Sequence, residues 1–249
     1  MNATIKLSTI ATLPKDKISK EEAIEKMAFL VEKLTVLQNK LFAQQRYAVL
    51  IIIQGMDTSG KDNAIKHVFS GVNPAGCCVK SFKVPTTEET AHHFLWRISK
   101  ECPRKGMIQI FNRSHYEDVL VPMIHKTLNK DLLKERYKEI NAFERGLIKD
   151  NTILLKFYLH ISQEEQIERL ASRKTEEDKR WKYQQEDEQA VVLHKQYRKA
   201  YETIIAACSE AVPWTIIPAD KKWYKNYRIL QKIIEELERY AIHYPKIEL

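Results

Sequence analysis

Eight residues, Gly55-Met-Asp-Thr-Ser-Gly-Lys-Asp62, place glycines at the first and sixth positions and a lysine at the seventh. The branched apolar run Tyr47-Ala-Val-Leu-Ile-Ile-Ile-Gln54 precedes them, and a polar, helix-compatible segment follows. Strand, glycine loop and helix in that order make a phosphate-binding P-loop. Glycines let backbone N–H groups turn toward anionic oxygens, the helix N-terminus adds a partial positive charge, and Lys61 adds a full one. The expected phosphate contacts are Gly55, Met56, Thr58, Ser59, Gly60, Lys61 and Asp62, with Lys66 on the following helix. Two acids depart from the pattern. Asp62 stands where the motif has Ser or Thr, and Asp57 sets a carboxylate inside a loop meant for anions.

Asp57 admits three roles: a turn residue bonded to its own backbone, the counter-ion of Lys61, or a ligand for a divalent metal. The hydroxyl after the lysine normally holds that metal, so with Asp62 in its place the ligand must come from elsewhere. A bare carboxylate beside a polyanion is repelled, more so as water is excluded. A divalent cation between them inverts the sign, and the metal role is the expectation for Asp57.

A second set, Asn112-Arg-Ser-His-Tyr-Glu-Asp118, follows the apolar run Met107–Phe111, as a Walker-B acid would. Arg113 carries forked donors suited to phosphate oxygens; the plainer alternative is a surface Arg–Glu pair. A phosphate acceptor has its second pKa near about 6 and is mostly dianionic at neutral pH, so no strong base is needed and His115 is expected to be structural. The third set packs Arg173, Lys174, Lys179, Arg180 and Lys182 around Trp181. It is either a solvated helix face or a mobile lid that brings cations onto the transferring group. Its place between two helices beyond a strand favours the lid.

The elements that must position these sets follow from periodicity. Strands are expected at 47–54, 77–82, 107–111, 152–159 and 214–217. Helices are expected at 60–69, from Thr86 or Thr87 through His92, Phe94 and Trp96 to a stop at Cys102-Pro103, at 128–149, from Gln163, at 187–208 and at 222–241. Such alternation implies an α/β fold: a five-stranded parallel sheet with helices on both faces and a helical lid at about 163–190. Ligands bind outside the carboxyl ends of these strands, where Asp57-Thr-Ser, Asn112-Arg-Ser and Pro218-Ala-Asp would meet. Before the sheet, Ile24, Met27, Leu30, Val31, Leu34, Leu37 and Leu41 recur at helical spacing, with Ser19 and Glu22 as a capping box. This amphipathic helix docks on its own domain or pairs with a second copy. Residues 1–18 read as an extended, loosely held arm. The chain divides into that arm and helix (1–45) and a P-loop domain (46–249).

Composition narrows the function classes. A chain of 249 residues can bury one large core. The 44% hydrophobic and 30% charged content is that of a soluble globular protein. A net charge of +8 favours an anionic partner. No apolar run approaches ~18 residues, so no membrane span is expected, and Met1-Asn-Ala-Thr-Ile-Lys lacks a secretory pattern. Cys77, Cys78, Cys102 and Cys208 show neither a CxxC pair nor metal spacing and read as reduced thiols of a cytoplasmic protein. The histidines form no metal set, and no nucleic-acid module is recognisable.

Together the motifs resemble the second family of polyphosphate kinases, over about residues 45–235. The matching parts are Gly55–Asp62, Gly71-Val-Asn-Pro74, Ser81-Phe-Lys-Val-Pro85, Phe94-Leu-Trp-Arg97, Phe111-Asn-Arg-Ser-His-Tyr-Glu-Asp118, Lys179-Arg-Trp-Lys182 and Pro218-Ala-Asp-Lys-Lys-Trp223. The string from Phe111 to Asp118 resembles the subgroup that phosphorylates both nucleoside monophosphates and diphosphates. Tyr183-Gln-Gln-Glu-Asp187 departs from the family's aromatic, Ser-Pro and Asp turn. The resemblance implies a thymidylate-kinase-like fold, Mg²⁺ with Mn²⁺ as a substitute, and homodimers or homotetramers. It implies reversible, in-line transfer of the terminal phosphoryl of polyphosphate to AMP and ADP, giving ADP and ATP, with guanine nucleotides as further acceptors.

In that scheme the catalytic residues are Asp57, Lys61, Asn112, Arg113, Glu117 and Asp118. Asp57 and Asp118 hold the metal, Glu117 orients the metal shell or the acceptor, and Asn112 orients the acceptor phosphate. The loop, Arg113 and the lid cations Arg173, Lys179, Arg180 and Lys182 carry polyphosphate. One rival is an ATP-dependent P-loop kinase of a nucleotide or small metabolite, disfavoured by the missing hydroxyl after Lys61. The other is a non-catalytic polyanion-binding module, in which the acids at 57, 117 and 118 would be costly.

Overall fold

Branched apolar strands without alternation must be covered on both faces. In the computed structural model, which describes residues 5–246, β1 (Ala48–Gly55) and β4 (Thr152–His160) are of this kind: every residue in both is buried. They lie side by side in a five-stranded sheet of order β2-β3-β1-β4-β5, completed by β2 (Cys77–Ser81), β3 (Ile108–Asn112) and β5 (Trp214–Pro218). All pairings are parallel. The register sets Ile53 level with Asn112, Gly55 with Leu159, and His160 with Pro218. The three chemical-looking strand ends therefore emerge at one edge, as expected.

Helices α1 (Lys20–Gln44), α2 (Lys61–Val68), α3 (Thr87–Ala91), α4 (Trp96–Ser99), α5 (Glu117–His125) and α6 (Lys130–Lys149) alternate with the first strands. The segments α7 (Gln163–Thr175), α8 (Glu177–Arg180), α9 (Glu186–Val192), α10 (His194–Ala207) and α11 (Lys222–Leu237) complete the chain. One layer packs α1 and α2 against α11, and the other packs α10 on α5 and α5 on α6. Ser19 accepts from the Glu22 N–H and Ser162 from the Glu165 N–H. Leu34 and Leu41 of α1 join the core that surrounds the sheet.

Three expectations change. The helix expected from Thr86 through Trp96 ends at Ala91. It starts well, with reciprocal Thr86–Glu89 capping, but none of α3 is buried, so no packing propagates it. The chain turns extended at His92 and restarts as α4, which buries Arg97 and Ile98. The helix expected over 187–208 is broken at Leu193 into α9 and α10, which lets His194 turn inward. The arm is not loosely held. Leu7 is fully buried, its N–H donates to Glu202 (2.7 Å), and the His160 ring meets the carbonyls of Leu7 (3.0 Å) and Ile10 (3.2 Å). Asp220 N–H donates to Thr12 O (3.1 Å), and Tyr224 and Arg228 hold Asp16. Residues 1–4 of that arm, and 247–249, lie outside the described residues. The four cysteines are free, as expected.

One charged cluster is wholly internal. Lys156 of β4 and Glu144 of α6 are fully buried 2.6 Å apart. Glu144 also accepts from Tyr116 Oη (2.6 Å), and its Oε1 lies 3.4 Å from His115 Nε2. Lys156 donates to Cys208 O (2.7 Å). Burial raises the Glu144 carboxyl, but His115 and Lys156 outweigh it and hold the pKa below the usual range. Removing one charge from such a pair strands the other, whereas an apolar pair of similar volume is often tolerated. Glu144→Gln should cost about 3–5 kcal/mol in urea denaturation, and Glu144→Leu combined with Lys156→Met should recover most of it. A loss under about 1 kcal/mol for Glu144→Gln would show that the pair is dispensable.

Candidate active site

The loop after β1 works because of two backbone constraints. Gly60, the residue before α2, has φ +87°, a left-handed conformation natural to glycine. A Cβ on Gly55 would meet Ser59 Oγ at 2.7 Å and the Leu159 carbonyl oxygen at 3.0 Å. Lys61, in the first turn of α2, folds back and donates to Gly55 O (2.8 Å) and Met56 O (3.2 Å). Burial, with Arg113 adding to it, lowers the Lys61 pKa to about 8 against the pull of Asp57, Glu117 and Asp62.

Arg113 leaves β3 with φ +63°, a conformation that costs a non-glycine residue about 1–3 kcal/mol and is typically kept at functional sites. Its guanidinium meets Asp57 Oδ1 at 2.7 Å. Burial raises the Asp57 carboxyl, but Lys61 and Arg113 together hold it below its ordinary value. Glu117 opens α5 and faces the same cluster. Burial raises its pKa, Asp57 adds to the rise, and Arg113 and Lys61 oppose it. With the Gln54 amide assigned from its hydrogen-bond network, Nε2 donates to Glu117 Oε1 (3.0 Å) and Oε1 accepts from Ser114 Oγ (3.1 Å). A cleft lined by Gly55, Met56, Asp57, Arg113, Glu117, Leu120, Val121, Tyr197 and Tyr201 opens over the group.

Asp118 lies apart from that cluster. It was expected beside Asp57 as the second metal ligand. Its carboxylate instead meets Arg97 at 3.0 Å, its carbonyl accepts from Arg136, and its charged neighbours are Arg97, Arg136 and His115. Those of Glu117 are Arg113, Lys61 and Asp57. The acid that joins Asp57 is thus Glu117. Asn112 Nδ2 donates to Asp62 Oδ1 (2.7 Å), so the acid after the lysine ties the second motif to the first. His115 lies at zero exposure beside Glu144, in keeping with a structural role. Lys66 sits in the last turn of α2, at the end away from the loop.

The lid cations are mostly engaged within their own segment. Lys179 pairs with Glu176, Arg180 donates to Lys174 O (3.2 Å), and Lys182 lies 4.9 Å from the Trp181 ring centre. Arg173 pairs with Asp187 at 2.8 Å, and its charge also reaches Asp57. Several site residues carried no sequence signal. Tyr197 and Tyr201, one turn apart on α10, wall the cleft, and Gln166, Arg169 and Lys225 hold the loop from behind. Only Gln54, a polar residue ending an apolar strand, was conspicuous.

Among the described residues, no three His, Cys, Asp or Glu side chains cluster as a metal cage. Two carboxylates at the mouth of a phosphate loop suit Mg²⁺, which takes one or two protein carboxylates plus substrate phosphate oxygens. The residues present therefore fit such an ion.

The family model described as Polyphosphate kinase 2 matches residues 17–245. An AMP/ADP-polyphosphate phosphotransferase of Meiothermus ruber is 44% identical over 230 residues, covering 92% of this chain and 86% of the relative. An ADP-polyphosphate phosphotransferase of Rhodopseudomonas palustris is 39% identical over 241 residues, covering 92% and 83%. The crystal structure of Polyphosphate Kinase 2 from Arthrobacter aurescens TC1 superposes with a TM-score of 0.96 at 34% identity, over 100% of this chain and 90% of that one.

The Lys61 pKa has a measurable consequence. As pH rises through about 8 the free protein loses the Lys61 charge, and a bound polyanion draws the proton back. Tripolyphosphate affinity should therefore fall above pH about 8, with net proton uptake on binding just above it. Calorimetry in buffers of different ionisation enthalpy measures the uptake. The component absent from Lys61→Met is the lysine's; identical uptake in both proteins would refute the assignment.

Proposed function

The chain belongs to the polyphosphate kinase 2 family, and we propose that it transfers the terminal phosphoryl group of polyphosphate to both AMP and ADP, reversibly and with a divalent metal. Family membership makes it a polyphosphate-dependent nucleotide phosphotransferase and sets aside the ATP-dependent kinase and the non-catalytic polyanion binder. One observation supports the divalent metal in that reading: Arg113 and Asp57 meet at 2.7 Å across the loop mouth, with Lys61 and Glu117 beside them. Two acids and two cations at one phosphate seat make sense where a polyanion is bound together with an ion that its oxygens share.

Loop amides and Lys61 hold the donor phosphates. In this reading Arg113 offsets the charge that accumulates on the equatorial oxygens of the transferring group, and catalysis of this step is mostly positioning and electrostatics. The acceptor phosphate is already a dianion, so no side chain need remove a proton. Asn112, fixed by Asp62, orients the acceptor phosphate in this reading. Asp57 and Glu117 would hold Mg²⁺, or Mn²⁺ in its place; when bound, the ion would offset the repulsion between these acids and the phosphate chain. Arg173 is the lid cation whose charge reaches Asp57, and closure of the lid about its α7 root would exclude water from the site. Guanine nucleotides as acceptors, a homodimeric or homotetrameric assembly and a cytoplasmic location belong to the same reading. Among the described residues no helix is long and apolar enough to cross a membrane.

Incubation with AMP, long-chain polyphosphate and Mg²⁺ should yield ADP first and ATP later, and chelation should stop both. Asp57→Asn and Glu117→Gln should each lower kcat by about 10²- to 10³-fold, the scale of a lost electrostatic contact at the reacting group, while Asp118→Asn loses far less. Normal turnover in Glu117→Gln with collapse in Asp118→Asn would return the metal to Asp118. Lys61→Met should lose about 3–5 kcal/mol of transition-state stabilisation.

A further inference from the structure

A phosphate loop binds anions only if its N–H groups face inward, which requires its carbonyls to face away. An outward carbonyl in a buried loop needs a donor. Here each carbonyl from Asp57 to Gly60 has a side-chain donor from outside the P-loop motif, and Gly60 O also accepts from the Ala64 N–H of α2 (3.0 Å). Gln166 Nε2 donates to Asp57 O (3.2 Å), Arg169 Nη1 to Thr58 O (3.1 Å) and Ser59 O (3.1 Å), and Lys225 Nζ to Gly60 O (2.6 Å). Gln166 and Arg169 lie on α7, the root of the lid, and Lys225 on α11.

Arg169 is fully used. A guanidinium has five N–H donors. Two go to the loop, two from Nη2 go to Ala219 O (2.7 Å) and Asp220 O (2.9 Å) beyond β5, and Nε goes to Glu165 (2.8 Å). Lysine, with three donors on one atom, cannot span these acceptors. Gln166 is fully buried, and His194 Nδ1 lies 2.8 Å from its Oε1. Burial, with Arg198 adding, lowers the His194 pKa. With Gln166 Nε2 donating to Asp57 O, its Oε1 faces the ring, and the hydrogen-bond network assigns the proton to His194 Nδ1. The brace also bears on a strained backbone: Thr58 has φ +63°, with its carbonyl held by Arg169.

We propose that Gln166 and Arg169 are positioning residues for the donor: they hold the loop carbonyls outward so that its amides are preset for a polyphosphate chain. They touch no substrate and act through the loop backbone. Because both lie on α7, the helix that carries the lid also carries the shape of the phosphate seat. The inference rests on the loop being the seat of the donor.

The test uses the intact chain and tripolyphosphate as probe. Gln166→Met keeps the volume and removes the donor to Asp57 O; Arg169→Lys keeps the charge and removes the span. Kd for tripolyphosphate is measured by calorimetry without acceptor, and KM separately for tripolyphosphate and AMP. In Gln166→Met, Kd and KM for tripolyphosphate should rise about tenfold while KM for AMP stays within about twofold. Arg169→Lys should shift the same constants further. A purely structural role would raise both KM values together or only lower the melting temperature, and either result overturns the inference. Lys61→Met is the control. If it leaves tripolyphosphate affinity unchanged, the loop is not the donor seat and the inference falls with it. If Lys61→Met loses affinity and a folded Gln166→Met does not, the positioning role alone is wrong.

Discussion

The contact between Arg113 and Asp57 joins two strand ends separated by more than fifty residues, and the charge balance of the site depends on it. Asp57 alone would repel phosphate. Lys61 alone, desolvated in the loop, would tend to lose its proton. Set together with Arg113 and Glu117, each group moderates the others: the cations keep Asp57 ionised, and the acids keep Lys61 from falling further below its ordinary pKa. Mixed charge at close range in a partly dry cleft is held only where the backbone is rigid, because small displacements change these energies steeply. The parallel sheet supplies that rigidity. Its register sets the ends of β1 and β3 side by side, and the contact is available only in that arrangement.

Two layers of support stand behind this contact. Beneath the second motif, Tyr116 and His115 anchor to the buried Glu144–Lys156 pair, which fixes the turn from which Arg113 and Glu117 project. Behind the first motif, α7 and α11 satisfy the loop carbonyls. Both supports use buried charge or buried amide groups, which are costly unless every donor and acceptor is met. The N-terminal strap adds a third tie where Thr12 and Asp16 reach residues 220–228 at the foot of α11. A segment expected to be loosely held thus bears on the element carrying Lys225.

Much of the fold was legible because it is written in local pattern. The P-loop string, the apolar runs of β1 and β4, and the caps at Ser19, Thr86 and Ser162 each express their structure within a few residues. Where local pattern was weak the reading slipped. The segment from His92 to Trp96 is aromatic-rich and helix-compatible, yet it breaks, because Arg97 and Ile98 must turn toward Asp118 and the core. Residues 5–16 carry only scattered apolar positions, and their docking depends on acceptors and donors far along the chain.

The sequence by itself determined the five-stranded parallel fold, the phosphate loop, the acidic and basic residues around it and the family resemblance. Tertiary structure alone decided which acid faces the loop. Glu117 and Asp118 are consecutive at the start of a helix, and consecutive helical side chains point about 100° apart. They cannot share a direction, and composition does not say which looks toward Asp57; the packing of α5 against α10 and the pull of Arg97 on Asp118 settle it. Tertiary structure also supplied the braces at Gln166, Arg169 and Lys225. A backbone carbonyl has no residue identity, so no sequence signal marks the distant side chain that will satisfy it. Only the folded path of α7 and α11 past the loop makes those contacts.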